Sequence, residues 1–491
     1  MERSSTTGKL RRGIPGYGLF GLVALATACS VGPDYVRPTV PVPGDYKEST
    51  GWKPAEPRDD VGRGPWWEIY GDPELSRLEA LIAVSNQDLA AAEARFRQAR
   101  ALVASARSAW WPTVAVGVSA TRAHQSGTLG TAFSGGRTEN EFAMPVSAMW
   151  EADVWGRIRR SVESSEASAQ ASAADLAATR LSLEAELATD YFQLHELDAE
   201  RQVLDETVAA YERSLTLTRN RYAQGVVSRV DVAQAETQLE STRAQAVDVT
   251  LARAQVEHAI AVLVGTPPAE FSLPAVPLAV TPPVVPAGVP SALLERRPDV
   301  AAAERSAAAA NAQIGVAVAA YFPTITLSAS GGFTSSDAST WFTWPSRVWS
   351  FGPAVQETIF DGGQRGALTD QARATFDEAV AAYRQSVLAA FQNVEDQLAA
   401  LRLLEEEGRL RTNAVAAAQE ALRITRNQYK AGIASYLEVV VTQGVALGNE
   451  RSAVQTLGRR LVASVALVQA LGGGWSTQDL PSDDALADGG S

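Results

Sequence analysis

The feature that most constrains this chain of 491 residues is a duplication. Asp88, Glu93, Pro112 and Thr113 return as Asp299, Glu304, Pro323 and Thr324, each 211 positions later, and an aromatic pair, Trp110-Trp111 or Tyr321-Phe322, precedes both prolines. Four matches at one offset are not chance. Each copy reads as an alanine-rich helix that stops at an aromatic-proline corner, because proline has no N–H to donate and biases the residue before it to extended geometry. Beyond the corner the period changes. Val114, Val116 and Val118 alternate with Ala115, Gly117 and Ser119, and Ile325, Leu327 and Ala329 alternate with Thr326, Ser328 and Ser330, which is strand spacing. A Gly/Ser/Thr-rich link leads in each copy to a second strand. One face of it carries Phe142, Met144, Val146, Ala148 and Trp150 in the first copy and Trp349, Phe351, Pro353 and Val355 in the second. Each half therefore inserts a β hairpin, unstable by itself, into an otherwise helical chain.

Lys9, Arg11 and Arg12 precede an apolar run from Ile14 to Ala28 that ends in small residues before Cys29, the only cysteine. That pattern is an export signal over residues 1–28. Ala26-Thr27-Ala28-Cys29 resembles the lipobox of bacterial lipoproteins, with Ala26 where leucine is usual, and the resemblance implies acylation of Cys29 and an outer-membrane destination. From Val31 to Trp67 the chain is Pro/Gly-rich and extended, a strap whose Tyr35, Tyr46 and Trp52 would dock on helices. The net charge is −13, and removing residues 1–28, with Arg3, Lys9, Arg11 and Arg12 against Glu2, takes it to −16. An acidic chain of this kind is a poor nucleic-acid binder.

Asp72-Pro73-Glu74 supplies an N-cap, an N1 proline and a first-turn acid, so a helix is expected from here to Ala109. Gly156 opens a much longer one. No proline occurs between Pro145 and Pro267, and the first break is at Gly225. Such a helix is about 100 Å long at 1.5 Å per residue, more than a globular core can use. Leu204, Val208, Tyr211 and Leu215 step 4, 3, 4, and Val387, Phe391, Val394, Leu398 and Leu401 repeat the pattern, so the long helices carry coiled-coil seams. Alanine between the seams allows close approach on a second flank, as a ring of helices requires.

The sequence from Arg219 to Val226 returns from Arg426 to Ile433 at an offset of 207, and Ser228, Asp231 and Gly265 return as Ser435, Glu438 and Gly472. Gly225 and Gly432 fit the position just past a helix, and Ser228 and Ser435 fit the caps of the next, so each long helix turns back at a tip. Eight prolines between Pro267 and Pro290 mark a linker between copies. After Gly474 the chain is acidic and reads as an untethered tail.

Strands of membrane-spanning length must close into a barrel, since lipid offers an open edge no partner. Four are too few, and about eight is the smallest barrel that closes. Three protomers would supply twelve strands and a helical barrel beneath them. Cys29 followed by VGPDYVRP, the segment from Trp66-Trp67 to Asp72-Pro73, the two corners, Asp361-Gly362-Gly363 and the two Tyr-x-x-Gly tips resemble the TolC-like outer-membrane efflux channels, in their NodT-type lipoprotein branch. The resemblance implies a mainly α fold with transmembrane β structure, a long helical coiled-coil barrel and a β-barrel completed by a homotrimer. It further implies a passive exit duct for small molecules or drugs, fed by an inner-membrane pump through a periplasmic adaptor (membrane fusion) protein. The expected organisation is signal peptide 1–28, acylated strap 29–67, first repeat 68–266 with hairpin 113–150 and tip 222–231, linker 267–290, second repeat 291–474 with hairpin 324–357 and tip 429–438, and acidic tail 475–491.

By the same resemblance the tips constrict the entrance and meet the adaptor, which singles out Tyr222, Gly225, Val226, Ser228, Asp231, Tyr429, Gly432, Ile433, Ser435, Leu437, Glu438 and Val441. Leu437 matches a hydrophobic gate position. Val441 stands where some relatives carry an aspartate, so the acid nearest the entrance is Glu438 or Asp231. Three copies of either carboxylate around a pore would repel one another and attract cations; the alternative is a solvated tip residue. No enzyme, cofactor or metal chemistry is expected, because His124, His195 and His258 are far apart and Cys29 is committed to acylation. Asp361-Gly362-Gly363 is expected to be a turn rather than a phosphate cradle. The rival from another class is a non-conducting trimeric coiled-coil or adhesin-like surface lipoprotein, which accounts for the heptads and anchor but not for the repeated strand pair.

Overall fold

Equal helix lengths in the two halves are the first consequence of the duplication. The computed structural model describes residues 30–48, 64–126, 136–278, 280, 282–283 and 293–487; Cys29, the export signal and Trp52 lie outside them. The longer helices are α1 (Pro73–Ser85), α2 (Gln87–Ser108), α3 (Arg157–Ala223), α4 (Arg229–Leu263), α5 (Pro298–Ala319), α6 (Gln364–Lys430) and α7 (Tyr436–Ala470). α2 and α5 each have 22 residues, α3 and α6 each 67, and α4 and α7 each 35. The strands are β1 (Thr113–Val116), β2 (Ser119–Gln125), β3 (Arg137–Glu151), β4 (Thr324–Ser335) and β5 (Arg347–Gln356).

The sheet is antiparallel throughout, with β3 and β4 central, β1 and β2 along one edge and β5 along the other. β1 and β2 keep one register on β3, in which Val116 faces Val146 and Ser119 faces Ala143. Their interruption falls opposite Pro145, which has no N–H to give; its carbonyl still accepts from Gly117 N (2.9 Å). On β4 the residue facing Pro145 is Gly332, where an added Cβ would overlap the Met144 carbonyl. Phe142, Met144, Val146, Ala148 and Trp150 share a face with Leu327, Ala329, Phe333, Trp349 and Phe351, as the alternation requires.

Below the sheet the helices lie side by side. Next to the strands the neighbours run α2, α3, α5, α6; toward the far end α4, α3, α7 and α6 follow one another. The heptad residues Leu204, Tyr211, Leu215, Val387, Val394, Leu398 and Leu401 are buried in these seams. Alanines 167, 174, 301, 302, 308 and 309 are buried where α5 packs on α3, and their small side chains set the close approach. Midway down, α1 contributes Leu75, Leu78 and Ile82 to the main core, with Phe192 and Tyr383 from the long helices. No helix among the described residues is long and apolar enough to cross a membrane.

Two expectations need correction. The helix expected from Pro73 to Ala109 is two helices. Asn86 is extended (φ −69°, ψ 126°), accepts from Leu89 N (2.9 Å) and donates to the Leu263 carbonyl (2.8 Å), while Ser85 Oγ donates to the Val264 carbonyl (2.6 Å). A side chain that caps the next helix while binding the end of α4 outweighs helix continuity. The segment after Gly474 is not untethered as far as it is described. Trp475 and Leu480 pack beside Ala174, Ala301 and Ala302, Leu486 is buried with Val103 and Ala169, and Arg107 donates to the Asp483 carbonyl (3.0 Å).

The strap and the linker are fastened by polar groups of the helices. Val31 N–H donates to the Trp155 carbonyl (3.1 Å), Arg160 pairs with Asp34 (2.7 Å), Tyr35 donates to Glu304 (2.6 Å) and Glu395 accepts from the N–H groups of Lys47 and Glu48 (2.6 and 2.9 Å). Tyr46 is buried, so both described tyrosines of the strap dock. Along the linker, Asp198 accepts from Val276 N (3.1 Å), Glu257 from Leu273 N (2.7 Å), and His195 donates to the Val276 carbonyl (2.7 Å). His195 is thus a buried clasp residue, whereas His124 and His258 are exposed. Burial raises the pKa of Asp198, but hydrogen bonds from His195, Arg253 and Val276 outweigh it and hold the carboxyl below its ordinary value.

Asn86→Ala should loosen the α1–α2 joint by about 1–3 kcal/mol, since it removes a cap and strands a buried carbonyl. Amide exchange at residues 87–90 should accelerate severalfold while the middle of α6 stays unchanged.

Candidate functional site

The two helix tips end in the same way because the same residues end them. After α3, Gly225 is left-handed (φ 72°) and donates to the Tyr222 carbonyl (2.9 Å), while Val226 N–H reaches back to the Arg221 carbonyl (2.9 Å). After α6, Gly432 (φ 76°) and Ile433 repeat both bonds, to Tyr429 (3.1 Å) and Gln428 (2.9 Å). This pair of bonds satisfies the last carbonyls of a helix, and only glycine adopts the left-handed residue without steric cost.

Each following helix opens on a capping box. Ser228 Oγ accepts from Asp231 N–H (3.3 Å) and Asp231 Oδ2 accepts from Ser228 N–H (2.8 Å); Ser435 and Glu438 do the same at 3.4 and 3.1 Å. The backbone N–H of Ser435, followed by its hydroxyl, holds the Glu438 carboxyl below the usual glutamate range. Both carboxylates are therefore engaged in fixing the turn, and Glu438 remains exposed beside Leu437.

Quasi-equivalent residues then part company. Tyr222 is 46% exposed, while Tyr429 is 4% exposed. Tyr429 lies in a small core with Tyr211, Leu215, Leu239, Tyr436 and Val439, its ring 5.4 Å from that of Tyr436. The second hairpin leans on α3, and Tyr429 is the tyrosine caught between them; Tyr222 has no such neighbour. Arg221 closes the contact. Its Nη1 donates to the Tyr429 carbonyl (2.7 Å) and its guanidinium carbon lies 4.5 Å from the Tyr429 ring centre. Sequence reasoning missed Arg221, although a signal was present: the second copy has Gln428 at the matching position, the one changed residue in an otherwise repeated Arg-Asn-x-Tyr.

Several exposed residues of the tips are apolar. Val226 and Ile433 sit in the turns, and Leu437, Val441 and Val445, one turn apart on α7, form an exposed stripe, with Leu437 at 55% and Val441 at 56%. Among the described residues no group of three or more His, Cys, Asp or Glu could hold a metal ion. Asp361 accepts from the N–H groups of Gly363 (3.0 Å) and Arg365 (3.2 Å) and pairs with the Arg365 side chain, so the Asp-Gly-Gly segment is a helix-capping turn. What this end of the molecule offers chemically is exposed apolar side chains set among charged ones on capped hairpins.

The outer membrane efflux protein family model matches the chain twice, over residues 80–266 and 289–473, one match for each copy. The probable efflux pump outer membrane protein TtgC of Pseudomonas putida is 32% identical over 452 residues, covering 92% of this chain and 93% of its own. Among solved structures, the outer-membrane channel OprN superposes with a TM-score of 0.85 at 30% identity, covering 91% of this chain and all of that one. The open state of the Neisseria gonorrhoeae MtrE outer membrane channel superposes with a TM-score of 0.80 at 29% identity, over 91% and 99% of the two chains.

Ser435→Ala should weaken the start of α7 by about 1 kcal/mol, and Ser228→Ala the start of α4 by a similar amount. Amide exchange at residues 437–439 and 230–232 would report each loss. Because the Glu438 pKa is lowered, its contribution is present above the ordinary glutamate value and is lost as pH falls through its own lower one. Carboxyl NMR titration of Glu438 should show that low value rise only part of the way in Ser435→Ala, because the substitution removes the hydroxyl and keeps the backbone N–H.

Proposed function

Because this chain belongs to the outer membrane efflux protein family, and is thereby an outer-membrane channel of efflux pumps, we propose that it works as a homotrimeric exit duct gated at its helix tips. The observation that carries this reading is the sheet. One face is apolar and exposed, with Val114, Val116, Val146, Trp349, Phe351 and Val355, and the other carries Thr326, Ser328, Ser330 and Ser350, as a wall between lipid and water requires. Its outer strands, β1 with β2 and β5, each have an edge unpaired among the described residues. Hydrocarbon cannot satisfy those edges, so neighbouring copies must. Three chains make a twelve-stranded barrel, and the helices below each sheet make the wall of the passage in the periplasm.

A lipid anchor on Cys29 is consistent with the start of the strap. Val31 is bonded to Trp155 where β3 passes into α3, so an acyl chain on the segment just before it would reach the membrane at the rim of the sheet. The exposed tips, at the far end of helices about 100 Å long, are the surface that the adaptor would meet. An adaptor that binds open tips more tightly than closed ones shifts the population toward open without any chemistry in this chain. Leu437 and Val441, brought together from three chains, would form an apolar constriction. Arg221, clamped on Tyr429, would hold the second hairpin against α3 in the closed state.

In planar bilayers the purified protein should conduct, and Leu437→Ala and Arg221→Gln should each raise the current of the resting channel severalfold. Unchanged resting current in Leu437→Ala would remove that residue from the gate, and the same result for Arg221→Gln would remove the clamp. An electrically silent wild-type protein would return the structural-stalk reading to first place.

A further inference from the structure

The acidic residues of the sheet all fall on its polar face. Glu139, Glu141 and Glu151 of β3 alternate onto the polar face. The apolar face carries no acid among its described residues; beyond its last apolar positions it bears Arg122 and His124 on β2 and Arg347 at the start of β5. Arg122 lies across from Asn140, two residues past Phe142, and His124 Nδ1 shares a hydrogen bond with Thr138 Oγ1 (2.8 Å). Neither arginine is paired with a carboxylate among the described residues, and both are exposed.

The chain between β4 and β5 folds onto this same outward face. Trp341 packs on Phe142 (5.6 Å between ring centres) and Phe342 on Phe333 (5.7 Å), and the two rings stack on each other at 4.8 Å. Arg347 lies flat on Trp344, its guanidinium carbon 3.0 Å from the ring centre and its Nε donating to the Trp344 carbonyl (3.2 Å). Trp344 is itself 73% exposed. An aromatic collar thus sits on the outside of the sheet at the end away from the helices, with Arg347 level with Phe333 on one edge strand and Arg122 two positions past Phe142 on the other.

The spacing fits a bilayer. From Trp150, beside the corner residue Trp110, to Phe142, under the collar, are eight residues of one strand. At about 3.3 Å per residue and a tilt near 40° they rise about 20 Å, close to the height of the apolar band of a membrane barrel. An arginine facing lipid is costly at mid-bilayer and nearly free at the headgroups, so Arg122 and Arg347 mark the headgroup level of the far leaflet. A guanidinium there, desolvated on one side by an indole, presents paired N–H donors to phosphate oxygens.

We propose that Arg122, Arg347 and Trp344 form a docking surface for the phosphorylated headgroup of outer-leaflet lipid, with the sugar phosphates of lipid A as occupant. The proposal rests on the membrane-barrel reading above. Charge complementarity and continuity with the apolar band favour lipid over a protein partner, since the arginines border a surface that lipid already covers.

The test uses the purified full-length protein in mild detergent, titrated with bisphosphorylated lipid A, with the same lipid after phosphatase treatment, and with inorganic phosphate, each read by native mass spectrometry and by thermal midpoint. Bisphosphorylated lipid A should bind and raise the midpoint by several degrees, the dephosphorylated lipid should bind about tenfold more weakly, and inorganic phosphate at millimolar concentration should neither bind nor compete. The double variant Arg122→Gln/Arg347→Gln should lose that preference, and Arg122→Lys/Arg347→Lys should regain part of it. Equal binding of the two lipids, or an unaltered preference in the glutamine variant, would overturn the proposal, and competition by inorganic phosphate would assign the site to a free anion instead. Conductance in phosphatidylcholine bilayers is measured alongside: a conducting glutamine variant keeps the barrel reading whatever lipid A does, and a silent wild-type protein removes both.

Discussion

An unpaired strand edge in hydrocarbon leaves a row of N–H and C=O groups with nothing to bond, and this cost governs the whole molecule. The sheet of one chain has an apolar face and two edges left uncovered among the described residues. Closure must come from other copies, and once copies are arranged in a ring the helices attached to each sheet have neighbours on both sides. The wide apolar and alanine-rich surfaces of α3 and α6 then follow from geometry, because each long helix must pack on two flanks rather than along one seam.

Duplication solves the problem of making such a wall from one chain, but the copies are not interchangeable. They share helix lengths, corners, capping boxes and left-handed glycines, all set by local chemistry. They differ where the chain has a direction around the ring. α3 lies between other helices of its own chain near the tip, whereas α4 and α6 are the outer helices of the set. Tyr222 and Tyr429 also differ, one exposed and one buried, because Tyr429 faces the seam with Tyr211 and Leu215 of α3. A latch between hairpins can exist only because the halves are unequal, and Arg221 supplies it from the copy that differs from its partner at that position.

The irregular segments fasten the ends of the repeats. The strap runs over α3, α5 and α6, the linker is pinned by His195, Asp198 and Glu257, and the segment after Gly474 packs against α2 and α3. For the strap and the linker, buried or half-buried carboxylates accept backbone N–H bonds, while the last segment is held by Arg107 and Gln170 donating to its carbonyls. Extended chain carries one unpaired donor and acceptor at nearly every residue, so it can dock only where side chains satisfy them.

How much of this was legible in the sequence depends on the range of the forces involved. The two-fold repeat, the hairpins, the 67-residue helices and the helix ends at Gly225 and Gly432 are written in periodicity, proline and glycine, and those features act within a few residues. The tip residues were legible as positions, while the engagement of Asp231 and Glu438 in capping boxes became visible only with backbone directions in hand. The break at Asn86 and the docking of Leu486 were not legible, because each is decided by a partner far along the chain, the Leu263 carbonyl in one case and Val103 with Ala169 in the other. The sequence by itself determined the parts, their lengths and which face of each strand is greasy. Only the tertiary structure decided which of two like-placed tyrosines is buried and which side of the sheet its collar covers, since packing depends on which surfaces meet and local pattern does not say.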